Sequence, residues 1–283
     1  MSNKPLIAVW GSPNSGKTVT TIKLAKALAV RKQNVLVLCC DVLCPSVSTI
    51  APQGASSHYS LGELLSLPSL TQEDLLRYAL PLDVSPRIAL LGYKKGDNAF
   101  TYATYNRERA VDLLTLARHL ADVVLVDCAS FLSADPLSTV ALELADHVVR
   151  LHSCDLKSLM FYASYLPLVS DARFRRSSVL PVLSNVKPEQ DSREYSQVFG
   201  GIQTMLSHVP QLEQQAAAAR LLDDCSGKEA AVYQKALQRI MDQLLPPEEH
   251  STAQVPGDNS SKSPSRMTLL LQQLWPKRRG DKQ

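Results

Sequence analysis

A chain of 283 residues can form one large domain or two small ones, and it can bury a sizeable core. With 45% apolar and 20% charged residues it has the composition of an ordinary globular protein. A net charge of +3 is too small to argue for nucleic acid by itself, and no apolar stretch is long enough to span a bilayer.

The first apolar run, Leu6-Ile-Ala-Val-Trp10, reads as a buried strand. Directly behind it Gly11-Ser12-Pro13-Asn14-Ser15-Gly16-Lys17-Thr18 fills the pattern G-x-x-x-x-G-K-[ST], and Val19 to Lys32 reads as a helix. Strand, glycine-bounded loop and helix are the context that a phosphate-binding P-loop requires. Backbone amides of the loop and of the helix start, Val19 included, converge on one anion-sized hollow. Lys17 supplies a point charge for the β- and γ-phosphates, and the Thr18 hydroxyl is a ligand for Mg²⁺.

Val35–Cys40 is a second continuous apolar run and ends at Asp41. Helices are expected at Leu61–Leu67 and Gln72–Leu80, then a strand at Ile88–Leu91 and a helix at Arg107–Leu120. Val123–Val126 is another buried strand, ending at Asp127. Helix Leu137–Leu144, strand His147–Leu151, helix Leu156–Leu166 and strand Val179–Leu183 follow, with Asn185 in the next loop. A last helix, Lys228–Leu245, closes the series. Strands alternating with helices predict an α/β fold: a mostly parallel central sheet flanked by helices, with ligands at the carboxyl ends of the strands. Asp41, Asp127 and Asn185 all follow strands and so can reach that edge.

Six cysteines without a C-x-x-C pair give neither a disulfide framework nor a metal site, which fits a reducing cytoplasm. The first strand begins within a few residues of Met1, leaving no room for a signal peptide. From Pro246 the chain turns rich in Pro, Ser and Gly, so the expected organisation is a nucleotide-binding domain at 1–245, a flexible linker at 246–265 and a basic tail at 266–283. In that tail Met267, Leu270, Leu271, Leu274 and Trp275 recur at helical spacing, and Pro276 is followed by Lys277, Arg278 and Arg279. A short apolar stripe beside a basic cluster predicts a helix for an anionic membrane surface; a protein groove suits the same face.

The order of these motifs resembles the ParA/MinD superfamily of P-loop ATPases over roughly Pro5 to Leu245. The resemblance implies ATP and Mg²⁺ as cofactors and a nucleotide-dependent homodimer. It places Asp41 near the attacking water and gives Asp127 the metal, held through water, at the start of a second switch segment. It makes Asn185 the contact to the base, and Asp41–Ser46 the first switch segment. Two departures stand out. Cys39 replaces an aspartate at the end of the second strand, and Ser12 occupies the place of a lysine that crosses the family's dimer interface. A cation aimed at a transferring phosphoryl group is worth roughly 10³-fold or more in rate, so slow hydrolysis is expected. The resemblance thus implies an ATP-driven switch that positions a membrane-associated assembly, such as a pilus or secretion machine, with an unidentified protein partner. A ParA-type DNA segregation ATPase and a nucleotide-loaded scaffold that never hydrolyses remain as alternatives; the charge balance speaks against DNA.

Overall fold

Alternate residues of strand β1 (Leu6–Gly11) face opposite sides of a sheet, and both sides are covered. Leu6, Ala8 and Trp10 point into one apolar cluster, Ile7 and Val9 into the other. A strand wedged between two helical layers must be apolar at every position, which is why β1 reads as an unbroken hydrophobic run. The computed structural model of the chain describes residues 4–52, 58–174 and 177–246.

After β1 come α1 (Lys17–Val30), β2 (Val35–Cys39), α2 (Val47–Ile50), α3 (Leu61–Ser66) and α4 (Gln72–Tyr78). A short strand β3 (Leu80–Leu82) turns into β4 (Ser85–Gly92), followed by α5 (Arg107–Leu120) and β5 (Val123–Asp127). Then α6 (Pro136–Leu144), β6 (His147–Ser153), α7 (Leu156–Val169) and β7 (Ser178–Val186) alternate. The described chain closes with α8 (Ser192–Val198), β8 (Thr204–Ser207), α9 (Pro210–Ala217) and α10 (Lys228–Leu244).

The strands form one sheet of eight in the order β3-β4-β2-β5-β1-β6-β7-β8. Every neighbouring pair is parallel except β3 with β4. This is the expected mostly parallel α/β sheet. Helices α1 and α10 cover the face of Ile7 and Val9, while α3, α5, α6 and α7 cover that of Leu6 and Trp10. β1 lies between β5 and β6, so the loops leaving β1 and β5 meet at one place on the carboxyl edge.

Several boundaries differ from the expectation for physical reasons. α1 starts at Lys17 and not Val19, because the last residues of the loop already form the first helical turn. α7 runs to Val169 through Pro167, which sits close enough to the end that only the last turn gives up a backbone hydrogen bond. The sequence pattern does not predict the antiparallel β3, the strand β8 or helices α2, α8 and α9, which are short elements with weak periodicity. The expected linker beyond Pro246 and the tail at 266–283 lie outside the described residues. Among the described residues no helix is long and apolar enough to cross a membrane.

Candidate functional site: a phosphate-binding loop

Local sterics fix the loop between β1 and α1. A Cβ on Gly11 would run into the carbonyl of Leu151 on β6, so only glycine lets the loop leave β1 at that point. Gly16 caps α1 at φ 80°, in the left-handed region, and Asn14 sits there too at φ 62°. A non-glycine in that region is strained and marks a backbone held by its surroundings. Gly16 has no side chain to cap α1, so the amides of its first turn, those of Thr18 and Val19 among them, stay free for an outside acceptor.

The side chains complete the hollow. Thr18 donates its hydroxyl to Asp127 Oδ2 at 2.6 Å, joining the start of α1 to the end of β5. The other oxygen of Asp127, Oδ1, is buried without a partner, as is Ser15 Oγ. Burial is the main force on Asp127, pushing its carboxyl up to about 6 against the opposing Thr18 bond and Lys17 charge. A buried carboxylate with an open lone pair beside a threonine hydroxyl is the donor set a hard cation such as Mg²⁺ takes. The residues present fit that metal.

Lys17 Nζ donates to Ser130 Oγ at 2.6 Å and reaches the Ser12 carbonyl at 3.4 Å. Burial depresses the ammonium, and the charges of Asp127 and then Asp41 oppose that shift. Ser130 follows β5, and its carbonyl accepts the Trp10 indole N–H at 3.2 Å. The lysine therefore rests on the segment after Asp127 rather than in bulk water.

The structure brings Lys17, Thr18, Asp41 and Asp127 to one edge. Asp41 is half-buried and accepts the amides of Leu43 (3.0 Å) and Cys44 (3.1 Å), so it also shapes its own turn. Asn185 lies within the end of β7 rather than in a loop, at φ 53°, with Oδ1 2.9 Å from His208 Nδ1. Its neighbour Ser184 donates to the Ser15 carbonyl at 2.7 Å, so β7 is tied to the phosphate loop. Pro13 and Asn14 form the exposed crest.

No family model matches the sequence, and neither does any of the curated proteins. Solved structures do match. The septum site-determining protein MinD complexed with Mg-ADP from Pyrococcus horikoshii superposes with a TM-score of 0.61 at 14% identity, over 84% of this chain and 96% of that one. A ParA-family ATPase from Chlorobium tepidum gives 0.64 at 17% identity, over 84% and 98%. A putative plasmid partition protein from Borrelia burgdorferi bound to AMPPNP gives 0.63 at 14% identity, over 85% and 100%. This chain has the MinD/ParA ATPase fold.

Within that fold the sequence reading missed three contributors. Ser130 holds Lys17, Ser158 holds Ser12, and Ser184 holds Ser15. Single serines outside any motif carry no sequence signal, and only the topology brings them to the loop.

Proposed function

We propose that the chain binds ATP with Mg²⁺ and acts as a slow ATPase switch of the ParA/MinD kind, positioning or regulating a membrane-associated assembly. The observation that carries the reading is the Thr18–Asp127 pair, with its open buried carboxylate oxygen, at the start of a helix that no side chain caps. Lys17 and the amides of 11–19 would hold the phosphates. Thr18 would ligate the metal, with Asp127 fixing that metal through water, and Asp41 would orient the attacking water. Asn185 would meet the base. Mg²⁺ supplies charge neutralisation on the phosphate oxygens.

Ser12 supports a low rate. The side chain at this position faces inward and is 2% exposed, so no cation extends from it toward a second molecule. Leu43, Phe131, Leu156 and Met160 are large apolar side chains left exposed on the segments that follow β2, β5 and β6. They support a homodimer formed around the nucleotide. The stripe Met267, Leu270, Leu271, Leu274 and Trp275 supplies the membrane contact in this reading. One tail binds weakly, and two on a dimer bind together through effective concentration.

Hydrolysis of ATP by the full chain, with and without anionic vesicles, tests the whole proposal. Slow turnover, Lys17-dependent binding and co-sedimentation under ATP that is lost in Leu271→Glu are expected. Turnover as fast as that of ordinary P-loop ATPases would refute the role given to Ser12. Indifference to vesicles would refute the membrane contact, and binding with no turnover at all would leave a nucleotide-loaded scaffold.

A further inference from the structure

Ser12 is the pivot of the phosphate loop. Its carbonyl accepts the Ser15 amide at 3.2 Å and faces Lys17 Nζ at 3.4 Å. Its hydroxyl turns the other way, into the protein, and donates to Ser158 Oγ on α7 at 3.1 Å. Ser158 is 1% exposed, and its Oγ also accepts the Ser153 amide at 3.1 Å. Asp155 caps α7 and fixes Ser158 by accepting its amide at 2.7 Å. Across the loop Ser184 ties the Ser15 carbonyl to β7. The crest at Pro13 and Asn14, strained at Asn14, thus hangs between buried hydroxyl ties from α7, where the Tyr162 phenol also meets the Ser12 amide, and from β7.

We propose that Ser158 is a positioning residue for phosphate binding: it holds Ser12, and through Ser12 the loop, in the shape in which the amides converge. The inference rests on the nucleotide reading above. A loop carrying Asn14 in the left-handed region relaxes if one tie is cut, and its ordering must then be supplied at the moment of binding. Removing the Ser158 hydroxyl also leaves the Ser12 hydroxyl and the Ser153 amide without a partner in a closed interior. Ser158 is buried behind Ser12, and the effect on binding assigned to it passes through the Ser12 hydroxyl.

A mutant cycle on the full chain decides the matter, using a fluorescent ATP analogue with Mg²⁺ and temperatures well below each variant's melting midpoint. Ser158→Ala is expected to weaken binding about tenfold. Ser12→Ala should match it, and the double variant should be no weaker than the worse single one. Ser158→Thr keeps the hydroxyl and should restore most of the affinity. Wild-type affinity in Ser158→Ala would overturn the proposal, and so would losses that multiply in the double variant. Should Ser158→Ala fail to fold, Ser12→Ala cuts the same bond from the other end; wild-type affinity there also overturns the proposal. Lys17→Ala separates the two levels. If wild type binds no better than Lys17→Ala, the nucleotide reading itself falls. If wild type binds through Lys17 and Ser158→Ala binds equally well, only the positioning role falls.

Discussion

Helix α1 carries two lysines less than two turns apart, Lys23 buried and Lys17 half-buried, and their surroundings differ in kind. Lys23, on the side toward α10, is 7% exposed and donates to Gln215 Oε1 at 2.8 Å and the Asp223 carbonyl at 2.9 Å. Lys17, at the loop end, has one close partner and lies near two buried oxygens that have none, Asp127 Oδ1 and Ser15 Oγ. Burial lowers both ammonium groups from their ordinary value. A depressed lysine therefore does not mark a site by itself. What distinguishes Lys17 is unfinished polar bonding beside a strained loop, because buried polar atoms are otherwise paired.

The largest expected effect tests that contrast directly. Lys17→Ala should remove about 2–5 kcal/mol of nucleotide binding while leaving the unfolding midpoint near that of wild type. Lys23→Ala should do the reverse, keeping nucleotide affinity and losing about 1–3 kcal/mol of stability as Gln215 and Asp223 lose a donor. Fluorescent nucleotide titration and urea unfolding on both variants check it. Equal effects in the two assays would erase the distinction.

His152 asks whether missing partners alone make a site. Both ring nitrogens lack a partner among the described residues, yet Tyr162 stacks on the ring at 3.9 Å and Phe199 closes it at 4.5 Å. Burial, with Arg150 nearby, pushes the imidazole down to about 3 from 6.5. Between those values the unfolded chain binds the extra proton, so stability is lost as pH falls through the window. At pH 5 the loss should be about 2 kcal/mol relative to pH 7, and His152→Phe should abolish it with no change in nucleotide affinity. Urea unfolding at the two pH values measures this, after Asp127 has been replaced by Asn in both proteins. That background is needed because Asp127 has the opposite sign. Its raised native value means that the folded state holds the proton between 3.8 and about 6, so stability falls there as pH rises.

The smallest expected effect belongs to that carboxylate. Holding a cation requires Asp127 ionised, so the Mg²⁺-dependent part of ATP affinity should fall about tenfold from pH 8 to pH 5. Asp127→Asn should lose the Mg²⁺ dependence and the pH dependence together. Nucleotide titration with and without Mg²⁺ at each pH gives the answer; a flat profile in wild type would mean that the metal is held elsewhere.

Both the sheet and the loop were readable because their signals are local. A strand buried on two faces must be apolar throughout, and a tight passage from strand to helix fixes the places of Gly11 and Gly16 beside Lys17 and Thr18. Edge strands β3 and β8 escaped, since four residues or fewer do not establish a period. So did the three serines around the loop, which come from α7, β7 and the segment after β5. Asp41 and Asn185 fall between these cases. Their place at the carboxyl edge follows from strand ends, whereas the turn amides on Asp41 and the His208 contact on Asn185 emerge only in three dimensions.

The contact between Trp10 and Ser130 has an optical consequence. The indole N–H donates to the carbonyl of the residue whose hydroxyl holds Lys17, so any ligand that draws Lys17 away disturbs the bonding of that chromophore. Trp10 is 1% exposed and packed against Phe161 and Tyr162, a setting that gives blue-shifted emission from a rigid ring. The chain has two tryptophans, and replacing Trp275 with Phe leaves a protein whose tryptophan fluorescence reports on the far end of the 11–18 loop, where Lys17 stands.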